Sequence, residues 1–446
     1  MSIPTGNTHP FKYSHVAASF SGLLIVVLLM GCQRSQTPSD SNGQTQTSDE
    51  QKSEQLEDNT STARRNIALE ELPPQLPTSQ LRDGWVQLFD GVTLYGWQTV
   101  GDATWKVQAG TIFGDGKQPG FLRTTTPFGD FELRLEFQAP TQTNSGVFLH
   151  TDTTPHLPQY ECYELNIAPP DNPFPTGSYV HRQKVDPATL KMASSKLTDH
   201  WHRYEIRVAG GKSTIRLNGV LILEYEDPRP LRRGYVALQQ NTGQVAFRNI
   251  QIKPLGLTSL FNGKDLTGWQ THPQLDGKFT VTPQGELRVQ GGRGQLEFEQ
   301  RFADFVLQLQ AKTAAANMNS GVFFRCIPGD QMMGYESQIH NGTKSGDRST
   351  PLDCGTGGIF RRQNARIVAA VDGEWLTKTL IATDSHFAVW VNGLLVTDWT
   401  DDRSANENPR RGLRTEGGTI MLQAHDPSTD ILFRDFRAAE IPTRAR

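Results

Sequence analysis

The chain has 446 residues, a formal net charge of −3, 36% hydrophobic residues and 20% charged residues. This length predicts two or three domains, each large enough for its own core, and the near-neutral charge gives no electrostatic reason to bind nucleic acid. The 41 glycines and 26 prolines favour a turn-rich β structure, and four cysteines are too few for a disulfide-dense scaffold. The composition therefore excludes disordered, fibrous, multi-span membrane and nucleic-acid-coating proteins.

Residues 1–31 are predicted to be a signal peptide. Val16–Met30 is a mostly apolar run of 15 residues, which suits a signal peptide better than a membrane-spanning helix of about 20 residues. The run ends at Gly31-Cys32, which resembles the lipidation signal of bacterial lipoproteins, with Cys32 as the residue that carries the lipid. The alternative is an uncleaved signal anchor in which this cysteine has no role.

Residues 32–80 are predicted to be a disordered tether. The stretch from Gln33 to Gln80 contains no aromatic residue and is rich in Ser, Thr, Gln, Asp and Glu, so it cannot bury enough apolar surface to fold. Arg34 stands where an inner-membrane retention signal would have Asp. We therefore expect an exported protein that faces the periplasm or the cell surface and touches the membrane only through its lipid anchor.

The rest of the chain contains the same domain twice. Leu88–Gln98 returns as Leu260–Gln270 with seven identities in eleven positions, and Asn144–Phe148 returns unchanged as Asn319–Phe323. Further matches follow in the same order, among them Tyr163–Ile167 with Tyr335–Ile339 and Phe247-Arg248 with Phe433-Arg434. The sequence thus predicts two domains, residues 81–254 (copy 1) and residues 257–441 (copy 2).

The pattern within each copy has the period of a β-strand. Between Phe131 and Phe137, apolar and polar residues alternate, as expected for a strand that faces the core on one side. The one predicted helix is Pro187–Lys196, with Asp186 as its N-cap and proline at its first position. Many short strands and abundant turns predict an all-β fold with two tandem β-sandwiches of the jelly-roll type.

Both copies resemble one known family, the 3-keto-disaccharide hydrolases, formerly a domain of unknown function. The resemblance rests on an ordered set of motifs in copy 2: Leu260–Gln270, Phe302–Phe305, Asn319–Arg325, Gly334–Asn341, Thr356–Arg362, Val391–Trp399 and Ile420–Phe436. It implies a concanavalin-A-like jelly roll in each copy and a hydrolase that acts on carbohydrate. The family is common among bacterial lipoproteins, in agreement with the predicted tether.

Candidate site residues cluster on one predicted strand of copy 2. In Tyr335–His340, residues two apart share a face, so Glu336, Gln338 and His340 are expected to project together. Such a polar set is either the floor of a binding cleft or a stripe that faces solvent. The resemblance further implies that Arg325, Arg361 and His425 lie beside it.

The implied reaction removes a proton next to a ketone. A C3 ketone acidifies the C2 proton of the sugar; a base removes it, the glycosidic oxygen leaves C1, and water then adds back. We expect Glu336 or His425 to be the base, and either Arg325 or a bound divalent metal ion to stabilise the enolate; no other cofactor is implied. The residues expected to contact an oligosaccharide or 3-keto-glycoside substrate are Gln338, His340, Arg361, Asn319, Trp390 and, in copy 1, Glu164.

Copy 1 departs from this set, so it is expected to be a binding or degenerate domain. Glu164 is retained, but four other positions differ: Asn166 replaces Gln338, Ala168 replaces His340, His150 replaces Arg325, and Asn241 stands near the position of His425. Two alternatives stay open for the whole protein: a non-catalytic carbohydrate-binding lipoprotein, because fold alone does not imply activity, and a hydrolase of unoxidised glycosides.

Several other tryptophan, aspartate and cysteine residues of the two copies are expected to have mainly structural roles. Trp97 and Trp269 are expected in the cores, and Asp130 and Asp304 are expected to cap turns. Trp390 is expected either to stack on a sugar or to cover a sheet edge. Cys326 and Cys354 flank the candidate site and could pair in an oxidising compartment.

Overall fold

The computed structural model describes residues 75–154, 158–195 and 201–443. The predicted signal peptide, Cys32 and the tether up to residue 74 lie outside the described residues. The last part of the predicted tether, residues 75–80, was predicted wrongly, because it belongs to the fold. Helix α1 (Thr78–Asp83) begins there, and Leu76 is buried. Leu76 and Leu81 both pack against Gly393 of copy 2, and this apolar contact explains why the segment is ordered.

Copy 1 is a sandwich of two antiparallel sheets. Its strands are β1 (Val86–Gln87), β2 (Trp97–Gly101), β3 (Trp105–Gln108), β4 (Thr111–Gly114), β5 (Gly120–Thr124), β6 (Phe131–Gln138), β7 (Asn144–Thr151), β8 (Tyr163–Ile167), β9 (His202–Ala209), β10 (Lys212–Leu217), β11 (Val220–Glu226), β12 (Tyr235–Thr242) and β13 (Val245–Pro254). The large sheet has the order β11-β10-β9-β6-β13-β4-β3, with β1 beside β13. The five-stranded sheet has the order β2-β5-β12-β7-β8.

Copy 2 repeats this topology. Its strands are β14 (Thr258–Ser259), β15 (Trp269–Thr271), β16 (Lys278–Val281), β17 (Leu287–Gln290), β18 (Gly294–Phe302), β19 (Phe305–Thr313), β20 (Ser320–Cys326), β21 (Tyr335–Ile339), β22 (Thr343–Lys344), β23 (Asp347–Pro351), β24 (Leu376–Thr383), β25 (His386–Val391), β26 (Leu394–Thr400), β27 (Gly418–Ala424) and β28 (Asp430–Glu440). The large sheet is β16-β17-β28-β19-β24-β25-β26, with β14 beside β28, and the five-stranded sheet is β15-β18-β27-β20-β21. The shared strand order confirms the duplicated β-sandwich.

Each sandwich buries the apolar side of its strands. Along β6, buried and half-buried residues alternate strictly, as the sequence pattern predicted. Trp97 and Trp269 are core residues, and each indole Nε1 donates to a backbone carbonyl, that of Leu88 (2.6 Å) and Leu260 (2.8 Å) respectively. The repeated Gly-Trp-Gln motif therefore serves packing in both copies.

Helices are few and short. The predicted helix is present as α3 (Pro187–Ser194) and ends before the predicted Lys196; the carboxylate of its N-cap Asp186 accepts from the amide of Thr189 at 2.8 Å. A four-residue helix, α2 (Pro158–Glu161), leads into β8. No helix within the described ranges is long and apolar enough to cross a membrane.

The two copies are packed against each other through the outer face of the large sheet of copy 2. From this face Val306, Ile381, Ala388, Trp390 and Leu395 join the apolar cluster of copy 1. Trp390 is only 1% exposed, and its Nε1 donates to the carbonyl of Gln87 at 2.9 Å. Neither expectation for Trp390 is therefore correct: it cannot stack on a sugar, because it fills the contact between the copies.

Charged groups reinforce this contact. Arg233 of copy 1 donates from Nη1 to Asp304 Oδ2 (2.5 Å) and from Nη2 to Asp384 Oδ2 (2.6 Å). Asp304 Oδ1 also accepts from the amide of Asp384, and Asp130 of copy 1 accepts in the same way from the amide of Gly210. The turn-capping role predicted for the two aspartates is thus present, with a second role in the contact for Asp304.

Replacing Trp390 tests whether it is structural. Trp390→Ala removes a large side chain from a closed contact and is expected to lower the free energy of unfolding of the full chain by about 3–5 kcal/mol. Trp390→Phe, which loses mainly the hydrogen bond to Gln87, is expected to cost less. Urea unfolding followed by circular dichroism measures both changes.

The matched control is Trp375→Ala. Trp375 is only half-buried and lies under the guanidinium of Arg434, whose carbon is 3.7 Å from the ring centroid. Its removal should shift the unfolding midpoint less. A Trp390→Ala chain with unchanged stability and lost sugar binding would contradict the structural role.

Candidate active site

The centre of the candidate site is the edge strand β21 of copy 2. Glu336 and Gln338 lie on its outer face, away from the core, whereas Tyr335 and Ile339 point into the core. Both polar side chains are nonetheless shielded: Glu336 is 5% exposed and Gln338 1% exposed. The face is therefore neither a stripe that faces solvent nor an apolar packing surface. It holds a buried acid, which needs compensating partners.

The neighbouring strand leaves space for this acid through a glycine. In the β20–β21 register, Phe323 is opposite Glu336 and Gly321 is opposite Gln338. A Cβ atom at position 321 would lie 2.6 Å from Glu336 Oε1, so any larger residue would displace the carboxyl. The glycine of the repeated Asn-Ser-Gly motif thus has a steric role beside the candidate base.

The cationic partner of Glu336 is Arg410. Its Nη2 donates to Glu336 Oε2 at 3.1 Å, and its guanidinium lies over the rings of Phe323 and Phe360. Arg410 belongs to the connection between β26 and β27, residues 401–417, whereas the corresponding connection in copy 1 spans only residues 227–234. Sequence reasoning missed Arg410 because no landmark of the repeat falls in this longer loop. The basic run Arg410-Arg411 was the available signal.

Opposing effects set the charge of Glu336. Burial raises the pKa of its carboxyl, and the charge and hydrogen bond of Arg410 lower it. The carboxylate of Asp353 adds a smaller upward contribution to this pKa, and His425 adds a smaller downward one. The net direction is upward, so Glu336 is a stronger base than an exposed glutamate.

His425 directly follows the end of β27 and is about half exposed. It is close enough to Glu336 to affect the pKa of that carboxyl. Its Nδ1 lies 2.9 Å from Asp426 Oδ2, and hydrogen bonds from Ser428 and His425 lower the pKa of Asp426 to about 2. Because Asp426 is therefore ionised and can only accept, Nδ1 of His425 carries the proton and Nε2 is left to exchange protons with a ligand.

Amide side chains complete the site. Gln338 Nε2 and Asn319 Nδ2 both donate to Asp353 Oδ2, at 3.0 and 2.5 Å. The oxygens Asn319 Oδ1 and Gln423 Oε1 are buried and have no hydrogen-bond partner within the described structure. Gln423 lies on β27, two residues before His425. Buried acceptors without partners are costly, so these two oxygens are suited to accept from sugar hydroxyls.

Two other predicted residues lie at the margin. His340 follows the end of β21, and its Nδ1 accepts from the amide of Gly342 at 3.2 Å. Arg361 is exposed, and its guanidinium lies 5.2 Å from the ring of Phe360, the same ring that Arg410 covers. Both residues lie on segments next to β21, but the contacts just described are made with residues one or two positions away in the chain.

The structure does not place Arg325 in this group. Its side chain is fully buried, and its nitrogens donate to the carbonyls of Ala303, Asp384 and Arg414 and to the carboxylate of Asp304. With its donors used in this way, the guanidinium holds three turns together and cannot reach an enolate. His150, its counterpart in copy 1, is likewise buried, with Nε2 2.7 Å from the carbonyl of Gly129.

The chemistry of the residues does not suit a resident metal ion. Within residues 75–154, 158–195 and 201–443, no group of three or more His, Cys, Asp or Glu side chains is arranged to hold one. Cys326 and Cys354 are separate, buried free thiols, so the pairing considered from the sequence is not formed. The acid, the guanidinium and the imidazole are therefore the groups on which a mechanism can be built.

Copy 1 has the acid without the cation. Glu164 occupies the position of Glu336, opposite Phe148, and Gly146 lies opposite Asn166. Burial raises the pKa of Glu164 to about 7, with a smaller downward effect from Gln239. Asn241, at the position of His425, is exposed. At neutral pH this site therefore holds an acid that is about half protonated, and it lacks the imidazole.

The chain matches one known family over most of its length. A family model described as the 3-keto-alpha-glucoside-1,2-lyase-like domain matches residues 84–253 and again residues 256–439. The chain belongs to this family. Membership makes it a carbohydrate-active, hydrolase-like protein with two family domains. A comparison with curated proteins gives no match.

The solved structures that this chain matches include carbohydrate-related proteins. Two structures from Parabacteroides distasonis, described as candidate glycosyl hydrolases, are 19% and 21% identical to this chain, with TM-scores of 0.35 and 0.31. The alignments cover 41% and 38% of this chain and 98% and 99% of those chains. A carbohydrate-binding module of family 66 from Bacillus subtilis is 14% identical to this chain, with a TM-score of 0.25. That alignment covers 35% of this chain and 95% of the module.

The protonation of Glu164 predicts a pH-dependent stability. Its pKa is about 7 in the folded chain and 4.5 as a free side chain. Between these values the folded state binds more protons than the unfolded state, so stability should fall as pH rises from about 5 to above 7, by about 3 kcal/mol in total. Glu164→Gln removes the titrating group and should flatten this decline in urea unfolding measured at pH 5, 6, 7 and 8.

The control is Glu224→Gln, which changes an exposed carboxyl of copy 1. It should leave the pH dependence of the wild-type chain unchanged. If Glu164→Gln and the wild type lose stability in parallel between pH 5 and 8, Glu164 is ionised throughout and the description of its site is wrong.

Proposed function

We propose that copy 2 cleaves the glycosidic bond of 3-keto-glycosides, beginning with removal of the C2 proton by Glu336. The observation that carries this proposal is the buried carboxyl of Glu336, paired with Arg410 and near His425. The family description supports it, because a 1,2-lyase acts by elimination across C1 and C2. Elimination is the first half of the reaction expected from the sequence, and addition of water is the second.

The proposed steps balance within the sugar, Glu336, His425 and one water molecule. Glu336 takes the C2 proton, and the electrons of that C–H bond form an enolate whose oxygen is stabilised by Arg410. As the C3 ketone re-forms, the C1–C2 double bond forms and the C1–oxygen bond breaks. Protonated His425 gives its proton to the leaving oxygen. Water then adds its hydroxyl to C1, and its remaining proton restores His425. Glu336, whose proton has meanwhile exchanged with solvent, returns a proton to C2.

The remaining polar groups would position the ring. Asn319 Oδ1 and Gln423 Oε1 can accept hydrogen bonds from hydroxyls, and Arg361 at the margin can donate to them. Gln338 holds Asp353 in place rather than reaching outward, since its amide nitrogen is used in that bond. Groups with unused hydrogen-bonding capacity are thus assigned to binding the sugar. Groups whose hydrogen bonds are already made are assigned to holding neighbouring side chains in position.

Activity of the purified full chain tests the proposal. The substrates are 3-keto-sucrose and unoxidised sucrose, and only the first should be cleaved, because only a C3 ketone acidifies the C2 proton. Glu336→Gln should lower kcat by about 10²-fold or more, as expected for loss of a general base. The matched change Glu164→Gln in copy 1 should leave kcat unchanged.

Isotope incorporation separates this route from ordinary hydrolysis. In D₂O the released 3-keto sugar should carry deuterium at C2 beyond the exchange seen without protein, measured by mass spectrometry. Cleavage without that label, equal cleavage of sucrose, or loss of activity only with Glu164→Gln would each refute the mechanism. Binding without turnover would favour the non-catalytic alternative.

We also propose that the protein is an exported lipoprotein attached through Cys32. The apolar run Val16–Met30 followed by Gly31-Cys32 supports this proposal. Cells grown with radiolabelled palmitate should label the wild-type chain and not Cys32→Ser. Label that persists in Cys32→Ser would show that this cysteine does not carry the lipid.

A further inference from the structure

A cavity of about 570 Å³ opens in copy 1, and neither the predicted site nor the proposed reaction uses it. Its lining comes from three segments: helix α2, the turn that follows Tyr179, and the end of β11. The lining residues that bear on its chemistry are Tyr160, His181, Arg182, Tyr225, Asp227 and Arg229.

The corresponding place in copy 2 is covered. The bridge between Tyr179 and Gln183 matches that between Ile359 and Gln363, so Arg182 corresponds to Arg362. In copy 2, Arg362 donates to the carbonyl of Arg410 at 2.7 Å, which means that the loop carrying Arg410 lies over it.

The two copies differ in the same way around a buried aspartate, which is Asp227 in copy 1 and Asp401 in copy 2. Tyr335 donates to Asp401 as Tyr163 donates to Asp227, at 2.7 and 2.9 Å. In copy 2 the long loop supplies Arg403, whose Nε and Nη2 each donate to Asp401 at 2.8 Å. In copy 1 the connection is only residues 227–234, and Asp227 pairs instead with Arg182 at 3.0 Å. The cavity is therefore the space that the loop fills in copy 2.

The lining combines aromatic faces with fixed polar groups. Tyr160 is 67% exposed, the largest exposure recorded for a large hydrophobic side chain in the described part of the chain. Tyr225 is half-buried, and the guanidinium of Arg182 lies beside the rings of both Tyr163 and Tyr225, 4.6 and 5.9 Å from their centroids. The Nε of Arg182 is buried without a partner among the described residues, so the hydrogen-bonding capacity of this lining residue is not fully used. Aromatic faces pack against the C–H groups of sugars, and planar polar groups bind their hydroxyls.

The described residues that line the cavity do not include the pair of carboxylates that cleavage of an unoxidised glycoside ordinarily uses. Asp227 is the one carboxylate among the described lining residues, and its oxygens accept from Tyr163, Arg182 and the amide of Arg229. The charge of Arg182 is balanced by the same aspartate, so the buried part of the site is neutral. We propose that this cavity binds an uncharged hexose unit of an unoxidised oligosaccharide and does not cleave it. This adds a second ligand site, in copy 1, to the function proposed for copy 2.

Calorimetric titration of the full chain with maltotriose, cellotriose and laminaritriose tests the proposal. At least one of these neutral trisaccharides should bind. Tyr160→Ala should weaken that binding about tenfold, in line with the loss of one aromatic contact. The control Met192→Ala removes another exposed apolar side chain, on α3 and outside the cavity, and should leave the affinity unchanged.

Two further variants identify the site. Arg182→Ala should also weaken binding, and circular dichroism checks that the variant is folded. Gln423→Ala, in copy 2, should not affect binding. Binding by none of the three sugars, binding that survives Tyr160→Ala, or binding lost with Gln423→Ala would overturn the proposal.

This outcome is independent of the activity assay. Tyr160→Ala should cleave 3-keto-sucrose at the wild-type kcat, because Tyr160 has no part in the copy 2 site. A chain that binds a trisaccharide in the cavity without any turnover of 3-keto-sucrose would support the cavity and refute only the proposed function.

Discussion

The charge balance at Glu336 is the constraint on which the candidate site depends. A carboxyl shielded from solvent takes up a proton unless a cation compensates for the lost hydration. Glu164 shows the uncompensated case, with a pKa of about 7. Arg410 supplies the compensation for Glu336, and Gly321 supplies the space for the carboxyl to meet it. Without either feature, copy 2 would hold a shielded carboxyl without a compensating cation, like copy 1.

The length of one connection accounts for much of the divergence between the copies. Residues 401–417 bring Arg410 to Glu336 and Arg403 to Asp401, and they cover Arg362. Residues 227–234 do none of this, so copy 1 keeps an acid without a compensating cation and an open cavity. Because loops tolerate insertions at low thermodynamic cost, such a difference can arise without disturbing the sandwich.

The fold could be predicted from the sequence because it follows from local and periodic signals. The repeat, the alternation along Phe131–Phe137 and the capped helix at Asp186 all appear in the structure. The same two-residue period correctly placed Glu336 and Gln338 on one face. Each of these predictions needs only neighbouring residues and the geometry of a strand or helix.

Contacts between distant segments could not be predicted in this way. Trp390 has the sequence context of a strand residue, and only the packing of copy 1 against copy 2 shows that it is buried. Arg325 follows the repeated motif directly, but its positive φ of 48° and its bonds to three separate turns direct it away from the site. Arg410 lies in a loop that has no periodicity. In all three cases the deciding partner is far away in the chain.

The inner side of β21 strengthens the distinction between the two acids. In copy 1, Tyr204 donates to the carbonyl of Asn166 at 2.9 Å, whereas in copy 2 the fully buried Lys378 donates to the carbonyls of Ser337 and Gln338 at 3.1 and 2.8 Å. Burial lowers the pKa of Lys378 to about 7, and the charge of Glu336 opposes that shift.

Because the attraction between the two charges acts on both groups, a protonated Lys378 in turn favours the ionised form of Glu336. Copy 2 thus has Arg410 on one side of the strand that carries its acid and the amine of Lys378, with a pKa of about 7, on the other. Copy 1 has a neutral phenol on one side and no cation on the other. Two separate differences between the copies therefore act in the same direction. Both favour the ionised form of the acid in copy 2 more than in copy 1.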